Sequence, residues 1–369
     1  MVCSVDDRKQ SRGAVRRRAV HAEPRAPIGK KFVHKSIEKS NKSVAKGSEA
    51  EAKKTPYEHW IDQVIDMGIR NIRREFVNTI RTYTPTGSMS AWEADKNYDK
   101  NRFFFLICDI VNTNTAVKIT ILGEDYYHAS YVHINENLVF ICAQGPLPNT
   151  IEDFWSLIIQ EGSKVIVQLC QWQEDGKNQC TEYFPKDDTE WKDYGAIRVK
   201  VIEKTSPVAQ LRKVYRTKLR AVQKEKKHEV LHLLYGGWPD HFVADSTPVC
   251  REVRAHALKL AEKTPVIVHC SAGIGRTGTF AAISMAVDRL KTTESLSIAE
   301  VVKDLRDQRM HSVQNDQASY QYLFIYRMVI EILLAEDLLI KNPDIISLIK
   351  EYDDLVARKR QERNKKNKK

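Results

Sequence analysis

The sequence predicts a single α/β domain whose strands occupy the middle of the chain, with helices before and after. Three observations carry that expectation. Apolar residues recur near helical spacing from Trp60 to Ile80; short β-branched and aromatic runs dominate from Phe103 to Leu234; and the helical period returns after Thr279. No internal repeat is visible, so a second copy of the domain is not expected.

Residues 1–55 are rich in Lys, Arg, Ser and Ala and poor in large apolar residues, a composition that cannot offset chain entropy by burial, and they are expected to form a disordered basic tail. Trp60, Val64, Met67, Ile72, Phe76 and Ile80 then mark an amphipathic first helix. The runs AVKITIL, LVFICAQ, SKVIVQL, AIRVKVI and HEVLHLLY, separated by turn residues, read as strands. Val266 to His269 reads as a buried strand, and Phe280, Ile283, Val287 and Leu290 form one face of the helix after it. Ser297 and Glu300 are placed as a capping box for the next helix, and a last helix is expected from Tyr320 to about Ile340. The domain is therefore expected at 56–340, with 341–369, ending in ARKRQERNKKNKK, as a second basic tail.

With 369 residues, 42% of them hydrophobic, the chain can bury a substantial core. Its formal charge of +11 suggests a nucleic-acid partner until it is divided along the chain. Residues 1–55 hold fifteen Lys and Arg against six acids, and 358–369 hold eight against one, so the middle is mildly acidic. A specific nucleic-acid partner is therefore not expected, whereas the basic ends suit acidic partners, an anionic membrane surface or nuclear import. Seven cysteines (Cys3, Cys108, Cys142, Cys170, Cys180, Cys250 and Cys270) are odd in number and lack any CxxC pair, which points to free thiols in a reducing compartment rather than disulfides or zinc. No apolar run reaches the roughly 18 to 20 residues of a membrane span, and Arg16, Arg17 and Arg18 are not followed by the apolar block of a signal peptide. A cytoplasmic monomer without metal or cofactor is expected, with nuclear entry open to it through the basic C-terminus.

The stretch VHCSAGIGRTGTF, Val268 to Phe280, concentrates the chemistry. Cys270 stands where backbone N–H groups and a helix N-terminus converge, a field that favours negative charge and a thiolate. Amides from Ser271, Ala272, Gly273, Ile274 and Gly275 can wrap a tetrahedral anion. Arg276 adds a planar fork for two further oxygens. The stretch has the makings of a phosphate cradle with a nucleophile at its base.

The string resembles the signature of protein tyrosine phosphatases, His-Cys-x-x-Gly-x-Gly-Arg-Ser/Thr-Gly, with a complete match. The resemblance extends to KNR at Lys100 to Arg102, DYYHASY at Asp125 to Tyr131, QGPLPNTIEDFW at Gln144 to Trp155, QCTEYFP at Gln179 to Pro185, WPD at Trp238 to Asp240 and QYLFIY at Gln321 to Tyr326. These blocks keep the order of the tyrosine-specific branch over about residues 57–335 and resemble its non-receptor, single-domain members. The resemblance implies a central mixed, highly twisted sheet flanked by helices, and phosphotyrosine hydrolysis through a phosphocysteine intermediate. It further implies Cys270 as nucleophile, Arg276 as phosphate ligand, Asp240 in a mobile loop as acid and then base, and Thr277 as the hydroxyl that helps the thiolate leave. Glu174 would hold Arg276, Gln314 would position the hydrolytic water, and a second glutamine, Gln317 or Gln321, would assist it. His269 is expected to be structural.

Several positions depart from the family pattern. Phe103 and Phe105 stand where tyrosine and a backbone-gripping aspartate are usual, so peptide binding is expected to be weak unless Asp109 takes over the grip. His128 replaces asparagine and Gln179 replaces lysine. Phe242 and Ala244 replace glycine and proline after WPD, which puts the loop's motion in question. Two alternatives stay open: a phosphotyrosine-binding module that has lost catalysis, and a dual-specificity or phosphoinositide phosphatase, which shares the cysteine loop, although an inositol-phosphate substrate would favour lysines where this chain has Ser271, Ala272 and Ile274. Both chain ends are expected to be dispensable for turnover.

Overall fold

The computed structural model describes residues 54–103, 115–119, 126–314 and 319–366. The expected basic tail lies outside these up to Lys53, and Thr55 already belongs to a helix cap. Its hydroxyl accepts the Glu58 N–H at 3.2 Å, while the Glu58 carboxylate accepts the Thr55 N–H at 2.7 Å. With Pro56 at the first helical position, this cap starts α1 (Pro56–Glu75), which buries Trp60, Ile61, Val64, Ile69 and Ile72.

The chain continues through the short helix α2 (Ser90–Glu93), β1 (Ala129–Asn135), β2 (Leu138–Ala143), α3 (Ile151–Glu161), β3 (Val165–Gln168) and a small hairpin of β4 (Gln173–Glu174) and β5 (Lys177–Asn178). It then forms β6 (Lys192–Tyr194), β7 (Ile197–Pro207), β8 (Val214–Gln223), β9 (Lys226–Tyr235), α4 (Thr247–Ala261), β10 (Val266–His269), α5 (Arg276–Thr293), α6 (Ile298–Gln308), α7 (Tyr320–Ala335) and α8 (Pro343–Lys366). Among the described residues the main sheet runs β1-β2-β10-β3-β9-β8-β7-β6. It is mixed: β10 is parallel to both β2 and β3, β3 is parallel to β9, and the pairs toward both edges are antiparallel. A strand flanked by parallel neighbours and covered on both faces is nearly continuously apolar, and all four residues of β10 are buried, His269 being its one polar member. Cys270 follows at its carboxyl end, where α/β sheets leave a crevice for ligands.

Five expected strands are present as β2, β3, β7, β9 and β10. The first run is described only from Ala116 to Ile119, where Ala116 makes a single bridge to Ser130. The sequence reading missed β8, whose Arg216, Lys218 and Arg220 alternate with buried Thr217, Leu219 and Ala221 in a half-solvated strand. Ser297 caps α6 through the Glu300 N–H at 3.3 Å, but the Glu300 carboxylate turns to Lys303 at 2.8 Å instead of closing the box.

The C-terminal assignment requires correction. Within that span Pro343–Lys366 form α8, which buries Ile345, Leu348, Tyr352 and Val356, while 367–369 lie outside the described residues. These positions recur at helical spacing, an apolar stripe hidden by the surrounding charge. Among the described residues, no helix is long and apolar enough to cross a membrane.

Candidate active site

The loop from Cys270 to Gly275 is shaped by what captures its carbonyl oxygens. Ser271 O accepts the Gly145 N–H at 2.9 Å, Ala272 O and Gly273 O both accept from the Arg309 guanidinium, Ile274 O accepts the Val313 N–H at 3.1 Å, and Gly275 O accepts from Thr279. In a planar trans peptide the N–H points opposite to the C=O, so carbonyls drawn outward turn the amides inward. The Gly273 N–H shows this directly, donating to Cys270 Sγ at 3.2 Å. Gly273 has φ +72°, and a Cβ there would sit 2.1 Å from Ala143 O, so both backbone and space require glycine. Ser271 Oγ, Arg276 Nε and Thr277 Oγ1 are buried without a hydrogen-bond partner among the described residues. An oxyanion bound in this cradle would have several donors waiting for it.

Arg276 opens α5 and is 1% exposed. Its Nη1 donates to both Glu174 carboxylate oxygens, at 2.7 and 2.9 Å, and to Trp238 O at 3.0 Å, while Nη2 donates to Asp240 Oδ1 at 3.1 Å. Burial opposes the charge, but the surrounding Cys170, Cys270, Asp240 and Glu174 outweigh it and raise the guanidinium's pKa. Glu174 reaches this position because the β4–β5 hairpin turns its side chain inward, where it also accepts the Gln171 N–H at 2.9 Å. The structure thus brings Cys270, Arg276 and Asp240 together around one cavity of about 420 Å³, with Asp240 the solvent-facing member and Glu174 behind Arg276, outside the cavity lining.

Beneath Cys270 lies a buried polar network. Tyr183 OH pairs with His269 Nε2 at 3.0 Å and donates to Gln168 Oε1 at 3.3 Å, which also meets His232 Nε2 at 2.9 Å. Burial lowers the His269 pKa to about 4 and that of His232 to about 3, so both rings are neutral partners in this network. Burial pushes the Cys142 and Cys250 thiols up to about 12, and Cys170 and Cys180 are raised as well. Among these described cysteines, Cys270 is the one that lines the arginine-bearing cavity.

Arg309 is the residue that sequence reasoning missed. Fully buried, it holds Gly273 O and Ala272 O and donates to Ser130 Oγ and His128 Nδ1, at 3.2 and 3.3 Å. Burial and the Arg309 charge keep the His128 pKa well below its usual value, so the unprotonated ring nitrogen can accept; this is the role that histidine takes at the asparagine position. Nothing local in QRMHSV marks this arginine, because the partners that need it lie about 35 to 180 residues earlier.

Gln314 and Gln321 converge over Gly275, where a Cβ would meet Gln314 Oε1 at 2.6 Å and Gln321 Nε2 at 3.2 Å. Gln321 Oε1 also accepts the Gln314 N–H at 2.9 Å. Gln317 lies outside the described residues, as do Phe105 and Asp109 of the substrate loop. Phe103 packs at the rim with Trp92, Tyr126, Ala272 and Ile274, and it shares the cavity wall with Gln179.

A protein-tyrosine phosphatase family model matches residues 97–331. The receptor-type tyrosine-protein phosphatase eta of Mus musculus is 31% identical over 277 residues, covering 71% of this chain and 21% of its own length. The Lar-like tyrosine-protein phosphatase of Caenorhabditis elegans is 35% identical over 256 residues (67% of this chain, 11% of its own). Tyrosine-protein phosphatase non-receptor type 20 of Rattus norvegicus is 30% identical over 276 residues (71% and 61%). The chain therefore spans less than two thirds of the length of each.

Proposed function

Because this chain belongs to the protein-tyrosine phosphatase family, we propose that it hydrolyses phosphotyrosine in proteins through a phosphocysteine intermediate. The observation that carries the proposal is the meeting of nucleophile, guanidinium and acid. Cys270 Sγ lies at the base of the cradle, and Arg276 binds Glu174 on one side and Asp240 on the other. In the first step Cys270 Sγ attacks phosphorus; the S–P bond forms as the P–O bond to the phenol breaks, and Asp240 gives its proton to the departing oxygen. In the second step water attacks phosphorus and yields a proton to Asp240. The S–P bond then breaks and the electron pair returns to sulfur, aided by the Thr277 hydroxyl.

The inward amides of 271–275 and Arg276 hold the equatorial oxygens throughout, so charge that develops in the transition state meets donors already in place. Gln314 and Gln321 orient the water, Glu174 keeps Arg276 aligned, and Phe103 provides an aromatic face for the substrate ring. The catalytic domain is assigned to 56–340, extended to Lys366 by the packing of α8. Full-length protein offered a phosphotyrosine peptide, a phosphoserine peptide and a phosphoinositide should release phosphate from the first, with inhibition by vanadate. Vanadate-sensitive peptide binding without turnover would instead identify a binding module, and preference for the lipid would overturn the substrate class.

A further inference from the structure

Asp240 is gripped from two sides, and only one grip belongs to the cradle. Its carboxylate meets Arg276, while its backbone carbonyl accepts from Arg363 Nη2 of α8 at 2.8 Å. The Arg363 guanidinium also lies 5.3 Å from the centre of the Phe242 ring, and that of Arg360 lies 5.8 Å from it. Arg360 further approaches Asp245 at 3.7 Å. Phe242 is 1% exposed: its ring packs edge-on against Tyr320 of α7 at 5.3 Å, and its carbonyl accepts the Trp238 indole N–H at 2.9 Å. The large ring found where glycine is usual is therefore buried under two arginines of the C-terminal helix. Tyr352, Val356, Arg360 and Arg363 follow one another at steps of four, four and three, so the arginines continue the face by which α8 packs on the domain. All of α8 lies beyond residue 331, where the family match ends.

We propose that α8 is a strap that holds the acid loop over the cradle, with Arg363 and Arg360 as positioning residues for Asp240. The proposal rests on the phosphatase reading. Neither arginine touches the reacting atoms; they fix the backbone of 240–245 through one charge-assisted hydrogen bond and a stacked aromatic ring. The C-terminal residues expected to be dispensable for turnover therefore include two that aim the acid.

The test uses the full chain and an Arg360→Ala/Arg363→Ala double variant, both residues being partly exposed near a helix end. Amide exchange should accelerate in residues 241–245 of the variant, with the cradle's exchange unchanged. Its kcat on a phosphotyrosine peptide should fall about tenfold, and by less on an aryl phosphate whose leaving group needs no proton. In an Asp240→Asn background the double substitution should cost nothing further, because no acid remains to be aimed. Arg363→Lys, which keeps the charge without the planar face, should fall between. Unchanged exchange, or an equal loss with Asp240→Asn, overturns the strap. Accelerated loop exchange in a chain that hydrolyses none of the substrates would uphold the strap as a contact and sink the phosphatase reading instead.

Discussion

The two halves of the site are built by different means. In the cysteine loop, backbone amides and one buried arginine capture the carbonyls, and Cys270, Ser271 and Arg276 are each 5% exposed or less. In the acid loop, side chains from α5, α7 and α8 do the holding, and the Asp240 side chain is 35% exposed. A cradle made from peptide groups in a packed interior has essentially one conformation. A loop hung on side chains has a position that its neighbours can change. On the proposed mechanism the difference has a consequence for tuning: phosphate binding would belong to the core, and proton delivery would answer to the periphery.

The largest effect should come from breaking the cradle's chemistry while sparing its shape. Cys270→Ser should abolish turnover yet leave vanadate or phosphotyrosine-peptide binding in place, because a hydroxyl is not an ionised nucleophile in the same setting. Appreciable single-turnover phosphate release by this variant would remove the covalent step. Breaking the other half is expected to cost less. Asp240→Ala should lower kcat by roughly 10²- to 10⁴-fold for a phenolic leaving group, and by much less for an activated aryl phosphate. Equal losses on the two substrates would take Asp240 out of proton transfer.

The cradle was legible in the sequence because its requirements are local: a thiol, small residues and an arginine must follow one another where a buried strand meets a helix. The strands of the parallel centre were legible for a related reason, since a doubly covered strand reads as a near-continuous apolar run, as Val266, Ile267 and Val268 do before His269. What could not be read depends on distant partners. Arg309 in QRMHSV has the same local appearance whether it is solvated or buried under Gly273. The basic end of the chain looked like a tail because eight cations obscure a stripe of four buried residues. Phe242 registered as a departure, but the arginines that cover it lie over a hundred residues away.

Glu174 sharpens the comparison, since it grips the same arginine as the acid from the opposite side. Glu174→Gln keeps the shape but removes the charge that fixes Nη1 in a two-pronged contact. A loss of about tenfold or somewhat more in kcat/KM is expected, carried chiefly by KM, because Arg276 would still bind phosphate but in a less fixed orientation. Steady-state kinetics on a small aryl phosphate would check it. A loss confined to kcat, with KM unchanged, would move Glu174 from phosphate binding to the chemical step.

The smallest effect concerns the floor under the cradle, and it should appear in stability rather than in rate. Burial lowers the His269 pKa from 6.5 to about 4 and the His232 pKa to about 3, and His128 is held well below its usual value by burial and Arg309. In the unfolded chain these rings take up protons near pH 6.5, whereas the folded network keeps them neutral. Between about pH 6.5 and 4 the unfolded state therefore binds more protons, so stability is fully present above that window and is lost as the pH falls through it. The slope should approach about 1.4 kcal/mol per pH unit for each such histidine. Carboxylates have little leverage above pH 5, so urea unfolding at pH 7.5, 6.5, 5.8 and 5.2 isolates the histidine contribution. His232→Gln, which can still hydrogen-bond to Gln168, should flatten the curve by one histidine's share. An unchanged slope would show that His232 already carries a proton in the folded state, and that the floor beneath Cys270 is wetter than its packing implies.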